Sequence, residues 1–103
     1  MLTVSCDFVF VQGKGLDDLN ERLRSNPRFV FRIHRRKRGR EGWALWRHKQ
    51  VVTHRGEVKL IQSGGKFRGR IQDRSNGMLS GAFLGWLLRN AEDLIYRVEF
   101  RID

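Results

Sequence analysis

The chain has 103 residues, with 21 Lys and Arg against 11 Asp and Glu and a formal net charge of +10. That length suits one modest core and excludes most multi-domain enzymes, while 40% hydrophobic and 11% aromatic residues exclude a disordered basic tail. A single cysteine, Cys6, excludes an intramolecular disulfide framework and a multi-cysteine zinc site.

Residues 2–11 alternate, with Leu2, Val4, Cys6, Phe8 and Phe10 on one face and Thr3, Ser5 and Asp7 on the other. That period of two predicts a strand, and the absence of a basic leader argues against a signal peptide. After a turn at 12–15, Leu16, Leu19 and Leu23 recur at helical spacing, with Asp17 and Asp18 in the first turn, where the helix dipole favours acids. Pro27 stops this helix, because the residue before a proline avoids helical geometry.

From Arg28 the period returns to two. Phe29, Phe31 and Ile33 face one way and Arg28, Arg32, His34 and Arg36 the other. A turn at 39–42 leads to a strand over 43–53 whose alternation is poor, consistent with a bulge or with burial on both faces. Strands follow at 57–62 and 66–72, separated by turns at 54–56 and 63–65. In the second of them Phe67 and Ile71 oppose Lys66, Arg68 and Arg70. A polar loop over 73–77 precedes a helix over 78–91, and a final strand over 94–102 sets Leu94, Tyr96, Val98, Phe100 and Ile102 against Arg97, Glu99 and Arg101.

The predicted order is β-α-β-β-β-β-α-β, a single α+β domain over 1–103. One antiparallel or mixed sheet of five to six strands with both helices on one face buries these stripes most simply. Its two ends resemble the split β-α-β arrangement of ferredoxin-like sandwiches, with a hairpin added.

The charge is unevenly spread. Residues 28–74 hold 15 of the basic residues and only Glu41, Glu57 and Asp73 as acids, net +12, whereas the rest of the chain nets −2. If the apolar members of these strands face the helices, their cations emerge together on the open face. Arginine outnumbers lysine there, and guanidinium forks bind phosphate in a bidentate way and stack on bases. The expected partner is therefore nucleic acid, DNA or RNA, bound without catalysis through Arg32, Arg35, Arg36, Lys37, Arg38, Arg40, Lys66, Arg68 and Arg70. Trp46 or Trp43 would stack on bases. Their spacing of three puts them on opposite faces of a regular strand, so at most one joins the cations. The alternative for each is the core.

Other motifs carry less. Residues 64–66 lack the first glycine and the Ser/Thr of a phosphate loop, with Leu60 and Phe67 standing at those places, and Asp18 breaks the pattern begun by Gly13 and Gly15. His34, His48 and His54 admit a nuclease reading, but no carboxylate is placed by sequence to orient them. They also lack metal-ligand spacing. The run from Arg35 to Arg40 has the composition of a nuclear-localisation patch, a pattern common by chance in cationic chains. No cofactor is implied. The most apolar run, Met78 to Leu88, is shorter than the ~20 residues of a membrane span, so the expectation is a cytoplasmic protein without a membrane partner.

The second helix is apolar around most of its circumference, more than one sheet-facing stripe requires. Clamping in the core is one reading. The other is a homodimer contact through Leu84, Gly85 and Leu88, since a chain this small struggles to bury a helix all round. A protein-interaction module that docks an acidic partner is the second functional reading, and a ligand pocket near Phe83, Trp86 and Tyr96 the third.

Overall fold

The computed structural model of the protein describes residues 1–25, 31–37 and 42–103, with the backbone alone over 31–37. Its elements are β1 (Leu2–Phe10), α1 (Leu16–Ser25), β2 (Phe31–Lys37), β3 (Gly42–His48), β4 (Gly56–Ser63), β5 (Lys66–Asp73), α2 (Met78–Asn90) and β6 (Ile95–Ile102). The order is the expected one. The strands form one sheet in the order β2-β3-β4-β5-β1-β6, and every neighbouring pair is antiparallel. β5, α2 and β6 straddle β1, and without the β2–β3 hairpin the remaining strands follow the split β-α-β plan of a ferredoxin-like sandwich.

Alternation decides which face is covered. Val4, Cys6 and Phe8 of β1, Ala44 and Trp46 of β3, Val58 and Leu60 of β4 and Ile71 of β5 are buried. They join Leu16, Leu19 and Leu23 of α1 and Leu79, Phe83, Trp86 and Leu87 of α2 in one cluster. Both helices therefore lie on one face. Burying each such large apolar side chain contributes roughly 1.5–3 kcal/mol. Deep burial, with the neighbouring Asp7 adding to it, pushes the Cys6 thiol up to about 12. The thiolate needed for reaction is thus scarce at neutral pH.

Polar groups fix the helices on this core. The Trp46 indole Nε1 donates to Asn20 Oδ1 at 2.9 Å, a buried bond between β3 and α1. Arg22 donates to the Asn90 carbonyl at the end of α2 at 2.8 Å and pairs with Asp93. Asp73, at the end of β5, is fully buried and accepts from the backbone N–H and hydroxyl of both Ser75 and Ser80. Burial alone would raise its carboxyl, but these donors outweigh it and hold Asp73 below the usual carboxylate range. One side chain thus closes the loop before α2 and satisfies an orphan N–H of its first turn. Gly56, at φ +128°, is required where β4 starts, because a Cβ there would lie 2.0 Å from the Gln72 carbonyl oxygen.

Several expectations need correction. The strand expected over 43–53 ends at His48, and 49–55 is a turn in which His48 Nδ1 accepts the Gln50 N–H at 3.0 Å. The predicted alternation of the last strand holds only in part. Val98 and Phe100 are half-buried and Leu94 buried, but Tyr96 and Ile102 are each 78% exposed: β6 is an edge strand, and Tyr96 is the extra residue where its register against β1 shifts. Of α2, one stripe is buried while Met78, Leu84 and Leu88 remain exposed, so the fully clamped helix does not form. Pro27, Arg28, Phe29, Arg38 and Arg40 lie outside the described residues.

Candidate nucleic-acid interface

No described helix covers the second face of the sheet. Residues paired across strands share a face, so the register assembles this surface row by row. One row runs Arg35, Leu45, Lys59, Arg70, Ser5 and Arg101. It contains four cations and no acid. The row on one side runs Lys37, Trp43, Ile61, Arg68, Asp7 and Glu99, so its acids lie at the β1–β6 end. On the other side Arg32 pairs in register with Arg47.

The acids are engaged unevenly. Glu57 pairs with Arg47 at 2.7 Å. Asp7 sits between Arg101 at 3.1 Å and Arg68 at 3.7 Å, and Glu99 lies 3.7 Å from Arg97. Asp73, an acid of the cationic segment, is buried beneath the sheet and does not offset the charge of the open face. Among the described residues no ion pair engages Lys59, Lys66 or Arg70. Lys59 instead stands over the Trp43 ring, 5.0 Å from its centroid. A depression surrounds that contact, lined by Trp43, Leu45, Glu57, Lys59, Ile61, Arg70 and Gln72. Apolar and cationic side chains meet there, with Glu57, the partner of Arg47, the one acid among them.

The predicted site residues divide accordingly. Lys66, Arg68 and Arg70 are exposed on β5 and project from the open face. The backbone register places Arg32, Arg35 and Lys37 opposite the open-face residues Arg47, Leu45 and Trp43. A register shift between Ile33 and Arg35 puts Arg36 opposite the buried Ala44. The side chain of Arg36 lies outside the described residues. Trp46 is 1% exposed and bonded to Asn20, which is the core alternative, and Trp43 is left as the stacking candidate. Lys59 was not among the expected contacts. Its signal is present in the sequence, where it alternates with Val58 and Leu60, but a single lysine between apolar residues carries little weight as a letter.

His48 and His54 do not join this row. His48 is on the helix side, 9% exposed, with its ring stacked on His54 at 4.1 Å between centroids. Burial, with His54 adding to it, lowers the His48 pKa below its ordinary 6.5. Among the described residues no group of three or more His, Cys, Asp or Glu could hold a metal ion, and no helix is long and apolar enough to cross a membrane. The pocket anticipated near Phe83, Trp86 and Tyr96 is not formed by those three, since Phe83 and Trp86 are sealed in the core while Tyr96 is exposed. Comparison with protein-family models, curated proteins and solved structures found no match.

Proposed function

We propose that the protein binds single-stranded nucleic acid, without catalysis, on the open face of the sheet. The observation that carries this reading is the acid-free row through Lys59 and Arg70, set beside the half-buried ring of Trp43. Adjacent cations repel one another, and a chain of phosphates relieves that repulsion. Lys59, Lys66 and Arg70 supply phosphate contacts that no carboxylate has to release. A base laid against Trp43 gains stacking worth about 1–3 kcal/mol. A single strand can splay a base into the depression, whereas a stacked duplex keeps its bases out of reach.

Affinity on this scheme comes mainly from phosphate neutralisation, so it is strongly salt-dependent and weakly sequence-dependent. The test is a fluorescence anisotropy titration with labelled single- and double-stranded DNA and RNA at about 50 and 200 mM salt. Tighter binding to single strands, lost by orders of magnitude at the higher salt, supports the proposal. Preference for duplex would remove the stacking role of Trp43. No binding to any of the four at the lower salt would overturn the proposal and favour an acidic protein segment as the occupant of the cationic face.

A further inference from the structure

We infer that β6 is the dimerisation edge of the protein, pairing antiparallel with β6 of a second copy about a two-fold axis through Val98. The backbone shows which groups are free. Asp103 N–H donates to the Thr3 carbonyl at 2.9 Å, which makes Thr3 and Asp103 a hydrogen-bonded pair of the β1–β6 ladder. Such pairs alternate along an antiparallel ladder, so the polar backbone groups of Val98, Phe100 and Ile102 point away from β1. Beyond them no described strand follows. β6 is eight residues long and has neither proline nor lysine, two common devices by which exposed edges resist pairing, and the register shift at Tyr96 leaves Arg97–Ile102 as its regular ladder.

Side chains then choose the partner and the register. On the open face β6 reads Arg97, Glu99, Arg101. An axis through Val98 sets each Arg97 opposite Glu99 of the other copy, two pairs of opposite charge. An axis through Glu99 would set Glu99 against itself and Arg97 against Arg101, two like-charge combinations that destabilise a ladder. An axis through Phe100 also matches charges, but it moves the apolar grooves beside Ile95, Tyr96 and Val98 apart along the strand. The Val98 axis keeps those grooves adjacent, with Tyr96, the extra residue at the register shift against β1, outside the regular ladder.

The helix side supplies apolar area at the same place. A mostly apolar groove between α2 and β6 is lined by Leu84, Leu88, Ile95, Tyr96 and Val98, with the charged Glu92 and Arg97 also along it. Leu88 is 66% and Tyr96 78% exposed. A two-fold axis at Val98 brings the grooves of both copies together, which closes the apolar surface that the core leaves uncovered. The region is also the near-neutral part of the chain, so the excess positive charge of residues 28–74 stays away from the seam.

The test is molar mass by sedimentation equilibrium over a dilution series, for the wild type, Arg97→Glu, Glu99→Arg and the double exchange. The wild type is expected at twice its 12.2 kDa. Each single exchange converts both opposite-charge pairs to like pairs and should weaken the dimer on the order of tenfold or more. The double exchange restores the pairing and should restore the dimer. Both positions are exposed, and circular dichroism melts check that each variant folds. A wild type that stays monomeric at several hundred micromolar (roughly the limit for a specific interface) overturns the inference, as does a dimer indifferent to the single exchanges. Dissociation by the single exchanges without rescue by the double one overturns the Val98 register, because with an axis through Phe100 the charge introduced by Glu99→Arg would face Arg101 in both variants.

Discussion

The open face has two halves that differ in how their charge is arranged. Across β1 and β6, acids and cations interleave: Asp7 lies between Arg68 and Arg101, and Glu99 beside Arg97. Across β4 and β5, Lys59, Lys66 and Arg70 have no acidic partner among the described residues, and the buried Asp73 contributes nothing to that surface. Both halves belong to the same sheet and share the same alternation. The lesson is that cation count does not make a binding surface. A cation already paired has to lose its carboxylate before it takes a phosphate, so the unpaired half is where a polyanion gains most.

That comparison can be broken directly. Reversing Lys59 and Arg70 together to Glu should lower affinity for a single strand by about 100-fold, since two phosphate contacts become repulsions. Reversing Arg97 and Arg101 should change it by less than about fivefold, because the charges there are already offset. Equal losses in the two double variants would erase the distinction between the halves. Anisotropy at one fixed salt concentration reads both.

The tryptophans sharpen it further. Trp43→Ala should weaken single-strand binding roughly tenfold, the lower end of base–aromatic stacking, and leave the melting temperature nearly unchanged. Asn20→Ala should do the reverse. It strands the buried Trp46 N–H at a cost of about 1–3 kcal/mol of stability, with affinity untouched once the protein is folded. A loss of binding in the Asn20 variant under native conditions would mean that the wrong tryptophan has been assigned to the ligand.

Beneath the sheet, acid stability should report Asp73. Its carboxyl is held below the usual 3.8 in the folded protein, so its stabilisation is complete above that pH and is lost as pH falls through the folded value. Asp73→Asn should flatten that part of a urea-unfolding profile against pH. His48 gives a smaller effect at higher pH. Its folded value lies below the ordinary 6.5, so stability is intact above 6.5 and declines as pH falls beneath it. His54→Gln removes the repulsive part of the shift and should shallow the decline.

Much of this was legible in the sequence because burial imposes a period. Val4, Cys6 and Phe8, or Leu16, Leu19 and Leu23, announce their face whatever surrounds them, and the element order follows. The errors fall where no apolar period exists. Ile33 is followed by His34 and then only cations as far as Lys37, so nothing in that run marks the register shift between Ile33 and Arg35. Trp43 and Trp46 are alike as letters, and only the pairing of β3 with α1 through Asn20 separates them. Strand order is equally silent in sequence. The placement of Asp7 beside Arg68 and Arg101, and thus the division of the open face, depends on β1 entering between β5 and β6.

The central claim is that phosphates are neutralised by the unpaired half of the open face. Its most direct test is the slope of log affinity against log salt for one single-stranded oligonucleotide, measured on the wild type and on the Lys59→Glu, Arg70→Glu double variant. Each phosphate contact contributes about 0.7 to that slope for a single strand. The account predicts a steep wild-type slope that shallows by about 1.4 or more in the variant. Identical slopes in the two proteins, or a wild-type affinity indifferent to salt, would contradict it.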